Sequence, residues 1–332
     1  MITPITQKDG LILDILQRGL PLARRPFRIL SAEADIGEDD VLESINRMTQ
    51  SGILRRIGGS FDPKRLGLYS TLCGCEIETG HLENAAGIVS RFPEVTHNYG
   101  RDAEINLWFT VIARSCERIG TIIGQTERIH GVRRVLNLPM KRRFKLSVYF
   151  SMSGETAAAD CSANRLHMQP YRPDKTARSV ISALQRGRQA VRDFYGVLAD
   201  ELALNTEELL HILAEMKNAG VLRKIGGFVN HTVSIYRANA MVVYDIDESD
   251  MEQAAAVLSQ KPFVSHCYHR ERYPQWPYTL YAMMHDTDSA GLGEKVRLLS
   301  QSIPAKSERM LYTVSEYKKK PWIMDELYED NE

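Results

Sequence analysis

The chain repeats itself. Leu16-Gln17-Arg18-Gly19 returns as Leu184-Gln185-Arg186-Gly187, and the run from Ser51 to Gly59 returns from Ala219 to Gly227. A third pattern, Pro-x-Val-x-His-x-Tyr-x-Arg, occurs as Pro93, Val95, His97, Tyr99, Arg101 and again as Pro262, Val264, His266, Tyr268, Arg270. Between the Gly58/Gly226 and His97/His266 landmarks only one net residue has slipped, so the chain is a tandem duplication. Two copies of so long a period argue for paired modules, since solenoids stack several short ones. In an extended strand the Val, His, Tyr and Arg of the third pattern share one face. The duplication therefore sets out a proton donor, a phenol and a guanidinium on one surface, twice.

Length and charge limit what these modules do. At 332 residues and 43% hydrophobic composition the chain can bury substantial cores. Lys plus Arg and Asp plus Glu both total 42, so no global field draws it to nucleic acid or membrane. Any anion site must be local, as at Arg133, Arg134, Lys141, Arg142, Arg143 and Lys145, or at Arg270 and Arg272. The cysteines Cys73, Cys75, Cys116, Cys161 and Cys267 form no Cys-x-x-Cys pair and no usual zinc spacing, and the first residues lack the regions of a signal peptide. A cytoplasmic protein is expected. No apolar run approaches the ~18 residues that span a bilayer.

Periodicity predicts an α+β architecture in which each copy is a winged helix-turn-helix followed by a ferredoxin-like βαββαβ unit. The first winged helix is expected over 1–66, with helices around Leu11–Leu16 and Asp39–Gln50. The first βαββαβ unit is expected over 67–152, as Tyr69–Glu78, Leu82–Arg91, Val95–Arg101, Asn106–Ala113, Cys116–Ile129 and Val132–Phe150. A Ser-, Ala- and Pro-rich linker follows over 153–173. The second winged helix is expected over 174–236, and the second βαββαβ unit with a tail over 237–332.

A winged helix joined to a βαββαβ unit through Gly52 to Gly67 resembles the Lrp/AsnC transcription regulators, whose second module senses small ligands. Within that superfamily the His-x-Tyr-x-Arg strands, Asn106-Leu107-Trp108-Phe109 and the long run from His266 to Tyr278 resemble the two subunit types of the siroheme decarboxylase family, here fused in one chain. The resemblance implies a carboxy-lyase that removes two acetate carboxyl groups from siroheme, giving 12,18-didecarboxysiroheme on the way to a denitrification heme or, by another route, protoheme. The fused arrangement leans toward the denitrification route. It implies no cofactor beyond the iron of the substrate, and leaves open whether a histidine ligates that iron.

Siroheme is a flat macrocycle with eight carboxylates, so its site needs apolar surface for the ring and fixed cations around the rim. Arg101, Arg270 and Arg272 are the expected rim cations. His97 or His266 is the expected proton donor, with Tyr99 or Tyr268 orienting it or a carboxylate. Trp108, Trp276 and Tyr278 are expected either at the ring or in the core. His269 and His285 occur only in the second copy, which implies that the half-sites have diverged; His269 is expected to help hold the substrate.

Two other readings stand beside this one. A DNA-binding regulator is opposed by acidic helices: Asp39, Asp40 and Glu43 against Arg47, and Glu207, Glu208 and Glu215 against Lys217. Basic wing residues Arg55, Arg56, Arg223 and Lys224 speak for weak nonspecific binding. A heme or siroheme sensor without catalysis would use the same contacts. Siroheme is the expected partner, and a homodimer of the fused chain the candidate assembly.

Overall fold

In the computed structural model the described residues are 5–146, 171–230 and 238–328. Most of the expected linker, Cys161 and the end of the extended run at Phe150 lie outside them. The first copy runs α1 (Gln7–Arg18), α2 (Pro26–Ala34), α3 (Glu38–Gln50), β1 (Leu54–Phe61), β2 (Tyr69–Ile77), α4 (Leu82–Ser90), β3 (Val95–Arg101), β4 (Ile105–Ala113), α5 (Cys116–Glu127) and β5 (Val132–Leu146). The second repeats this order as α6 (Lys175–Arg186), α7 (Phe194–Glu201), α8 (Thr206–Asn218), β6 (Leu222–Val229), β7 (Ala238–Asp245), α9 (Met251–Ser259), β8 (Val264–Arg270), β9 (Leu280–Asp286), α10 (Ser289–Ser300) and β10 (Ser307–Lys319).

Local chemistry sets the helix ends. Thr6 and Asp9 form a capping box at α1, as do Asn205 and Glu208 at α8, each pair satisfying backbone donors the helix cannot. Helices α2 and α7 complete the winged helices and were not among the expected elements. They are short, begin at Pro26 and at the Asp193 cap, and make their last turns without a glycine stop.

The two winged helices are built into each other. Strands β1 and β6 pair antiparallel with Gly58 opposite Gly226. Each wing also lies on the first helix of the other copy: Leu20 N–H donates to Ile225 O at 2.6 Å, and Arg188 N–H to Ile57 O at 2.8 Å. A Cβ on Gly58 would stand 2.3 Å from Leu184 O, and one on Gly226 2.3 Å from Leu16 O. The recurring Gly-Gly and the recurring Leu-Gln-Arg-Gly are thus the two sides of one contact, made twice, and only glycine permits the approach.

The βαββαβ units are likewise inseparable. Their strands close one eight-stranded barrel in the order β10-β3-β4-β2-β5-β8-β9-β7. Each long terminal strand bridges the copies: β5 pairs with β2 and then β8, and β10 with β7 and then β3. The duplication relates every strand to the one four places round, so β3 and β8 face each other across the barrel. The helices cover the outside over two apolar layers, one including Cys73, Val95 and Phe109, the other Val264, Cys267 and Met284. The inside is filled by a third cluster that includes Trp108, Leu138, Met241, Trp276, Tyr281 and Leu311. Beyond β10 the chain returns to the winged helices, where Trp322 and Met324 enter their core and Met324 N–H donates to Gln185 Oε1 at 2.9 Å.

Candidate active site

A β-bulge aims the motif residues. On β3 the register slips between Val95, opposite Val111, and His97, opposite Thr110; on β8 it slips between Val264, opposite Met284, and His266, opposite Met283. The extra residue turns Val95 and Val264 outward under the helices, while His97, Tyr99 and Arg101, and His266, Tyr268 and Arg270, face inward. The expectation that Val shares their face fails for this reason. The ring centroids of His97 and Tyr99 are 6.2 Å apart, those of His266 and Tyr268 6.0 Å.

The two histidines meet in one electrostatic neighbourhood. Burial holds His97 near a pKa of about 4, with the charges of Lys319 and Arg55 adding to it. Burial likewise holds His266 at about 3, helped by His285, His97, Arg223 and Lys145. Arg55 and Arg223 are equivalent residues of the two wings, so the wing sheet stands over the barrel end that carries both histidines. The sequence reading credits these wing residues with weak nonspecific DNA binding. Instead Arg55 donates to Asn230 Oδ1 at 3.0 Å, Arg223 pairs with Asp62 at 2.8 Å, Arg56 lies 4.0 Å over the Phe228 ring and Lys224 donates to Gln17 O. Their exact recurrence was the signal that could have marked them.

Arg101 and Arg270 lie deeper and are held alike. Arg101 Nη1 donates to Leu311 O at 2.7 Å and Thr313 Oγ1 at 3.1 Å; Arg270 Nη1 donates to Leu138 O at 2.6 Å. Each guanidinium lies beside its motif tyrosine, at 5.8 and 5.3 Å from the ring centre, and each Nε is buried without a hydrogen-bond partner. Neither has a carboxylate partner within ion-pair distance among the described residues. Desolvation lowers Arg101 to about 10 and raises Tyr99, and it lowers Arg270 and raises Tyr268. Two buried cations without acids leave a positive interior suited to an anion.

Five expected site residues lie elsewhere or are otherwise occupied. His269 alternates to the outer face of β8, 4% exposed, with Nε2 3.5 Å from Glu248. Arg272 is spent on Asp245 at 2.7 Å and Asp247 at 3.7 Å. Trp276 and Tyr278 come from the run after β8, which plugs the barrel end opposite the histidines. Trp276 is 5.5 Å from Trp108 and 4.8 Å from Tyr278, centroid to centroid, and its Nε1–H donates to Tyr281 Oη at 2.8 Å. Trp108, whose Nε1–H donates to Ile105 O, is 1% exposed. All three aromatics are core, with no ring face open to a ligand.

A closed barrel shared by two βαββαβ units under paired winged helices defines an AsnC-type module doubled within one chain. The AsnC-like ligand binding domain matches residues 65–145 and 236–318, and the siroheme decarboxylase NirDL-like HTH domain matches 9–55. The siroheme decarboxylase of Hydrogenobacter thermophilus is 30% identical over 316 residues, 93% of this chain and 92% of that protein. The alpha subunit of the Desulfovibrio desulfuricans enzyme is 35% identical over 148 residues, 45% of this chain and 85% of the subunit. The crystal structure of the siroheme decarboxylase NirDL in co-complex with an iron-uroporphyrin III analogue has a TM-score of 0.73 and 26% identity, covering 97% of each chain. The chain belongs to the siroheme decarboxylase family, with both subunit types in one polypeptide.

Proposed function

We propose that this protein decarboxylates siroheme, removing two acetate carboxyl groups to give 12,18-didecarboxysiroheme. The observation that carries this reading is the convergence of two His-x-Tyr-x-Arg strands at one barrel end, beneath paired wing arginines. A macrocycle held there meets cations from both copies: Arg55 and Arg223 from above, Lys319 and Arg143 from the bridging strands, and Arg101 and Arg270 from within. Iron enters with the substrate, and no further cofactor is part of this reading.

Loss of carbon dioxide from a pyrrole acetate leaves an electron pair on the methylene, which must gain a proton to become methyl. His266 is the proposed donor, with His97 opposite it on the substrate, the tyrosines orienting carboxylates and the deep arginines attracting them. Both imidazoles are neutral when the site holds no anion. A ligand with eight carboxylates replaces that unfavourable field with a favourable one, so substrate binding itself charges the donor. This arrangement also holds the acid in reserve until a carboxylate is present.

The winged helices serve as a cover in this reading, since the basic wing residues Arg55, Arg56, Arg223 and Lys224 are engaged within the molecule, and the regulator loses its main support. Both half-sites belong to one chain, so a homodimer is not needed to complete them. No helix among the described residues is long and apolar enough to cross a membrane, and the free thiols of Cys73, Cys75, Cys116 and Cys267 suit the cytoplasm. The test is anaerobic incubation of the purified protein with siroheme, followed by product mass. Loss of two carbon dioxide units supports the enzyme; tight binding with unchanged mass would make the protein a sensor or carrier.

A further inference from the structure

His285 has no role in the reading above, yet it is tied to the motif histidine of its own copy. Ser265 Oγ lies 2.7 Å from His266 Nδ1 and 2.8 Å from His285 Nε2, so one hydroxyl bridges two imidazoles. The first copy keeps half of this arrangement: Thr96 Oγ1 lies 2.9 Å from His97 Nδ1. The residue equivalent to His285 is Ile112, because Ile112 N–H donates to Glu94 O at 2.9 Å as His285 N–H donates to Phe263 O at 3.0 Å. Thr96 and Ser265 differ little; isoleucine and histidine at the far end differ completely.

We propose that Ser265 and His285 are positioning residues that make the second copy the proton-delivering half of the site. The proposal rests on the functional reading above. A hydroxyl has one proton to give. If it gives that proton to His285 Nε2, its oxygen is free to accept from His266 Nδ1–H, and His266 Nε2–H is left for the substrate. The charges around the chain support this direction. Burial, with the charge of Lys319 on β10 adding to it, keeps His285 neutral, at about 4, so that its Nε2 accepts in the tautomer that carries the proton on Nδ1. Burial above all disfavours a charge on His266, and His285 on β9, His97 on β3, Arg223 on β6 and, from the outer face of β5, Lys145 add to it. An acceptor on Nδ1, behind the ring nitrogen that meets the substrate, is therefore most useful here.

In the step itself the bond between methylene and carboxylate breaks and its electron pair stays on the methylene carbon. Carbon dioxide leaves, and the carbon takes the Nε2 proton of imidazolium His266. Neutral His266 keeps Nδ1–H on Ser265, the bridge is unchanged, and water restores the spent proton. One proton is consumed per carbon dioxide.

The test uses the full-length protein with siroheme under anaerobic conditions, comparing His285→Ile, Ser265→Ala and His285→Gln. The first two should lower kcat roughly 10- to 100-fold, less than loss of the acid itself. Siroheme affinity, read by absorbance, should stay within about twofold of the parent protein. Without the acceptor the imidazolium is less stable, so the alkaline limb of the kcat profile should move to lower pH. His285→Gln, which retains an acceptor oxygen, should recover most of the rate and the profile. Parent-like kcat and pH profile in His285→Ile would overturn the proposal, as would a loss of kcat with an unmoved profile that glutamine does not rescue. Absence of turnover in the parent protein would overturn the functional reading itself, and this inference with it.

Discussion

The half-sites around His97 and His266 share a backbone and differ in where their charges stand. Opposite Tyr99 on the bridging strand stands Glu316; at the equivalent place opposite Tyr268 stands Arg143. Glu316 approaches Arg55 at 3.9 Å and raises Tyr99 further, while Arg143 and Arg223 oppose the burial that raises Tyr268. Lys319 pairs with His97 in the first copy, where Leu146 pairs with His266 in the second. The acid thus stands in a different place in each half: Glu316 on the bridging strand near Arg55 in the first, and Asp62 of the wing on Arg223 in the second, beside a bridged pair of imidazoles. Duplication supplied two matching frames, and single side chains on the exchanged strands make them chemically different.

The largest test of that division is removal of each histidine. His266→Ala should lower kcat by ~10²–10⁴-fold, the usual contribution of a positioned acid. His97→Ala should also raise KM for siroheme, as expected for a group that holds substrate. Equal losses with the same KM would make the halves equivalent and break the comparison.

Acid stability is a smaller measure of the same difference. All three inward histidines have folded-state pKa values below the ordinary one, so the unfolded chain takes up protons that the folded chain refuses. Their stabilising effect is complete above about pH 6.5 and is lost as pH falls toward 4. At pH 5 each would cost ~2 kcal/mol. In the absence of substrate, the double variant His266→Gln/His285→Gln should flatten the fall of melting temperature between pH 7 and 5 more than His97→Gln does. The smallest effects should come from the facing charges: Arg143→Gln should weaken siroheme binding about 10-fold, equivalent to ~1.4 kcal/mol. Glu316→Gln should tighten it slightly, by absorbance titration at fixed salt. Matched effects of one sign would show that the charge difference has no bearing on the ligand.

Much of this was legible in the chain. The duplication, the βαββαβ order and the strand boundaries Val95–Arg101 and Val264–Arg270 follow from recurrence and period. Strand alternation alone also excludes His269, two residues out of phase with neither His266 nor Arg270 but one with Arg270 and three with His266. The bulges were not legible, because a single inserted residue has no local signature in Thr96-His97 or Ser265-His266. Nor was the exchange of β5 and β10, since a strand's length says that it can reach a second partner and not which one. Arg55 and Arg223 are legible as a repeat and as wing residues, but not as neighbours of the histidines, because that position depends on a sheet formed between copies.

The bridging strands also bear on how the chain is made. When a ribosome has released the first copy, β3 and β5 each have an open edge, and their partners, β10 and β8, are still to be synthesised. The partner of His97 on β10 is Lys319, among the last strand residues to emerge. Unsatisfied edges of this kind attract other chains, and pairings so distant in sequence form slowly. Joining the two halves covalently places the correct partner on the same nascent chain, at a high local concentration that two separately translated subunits lack.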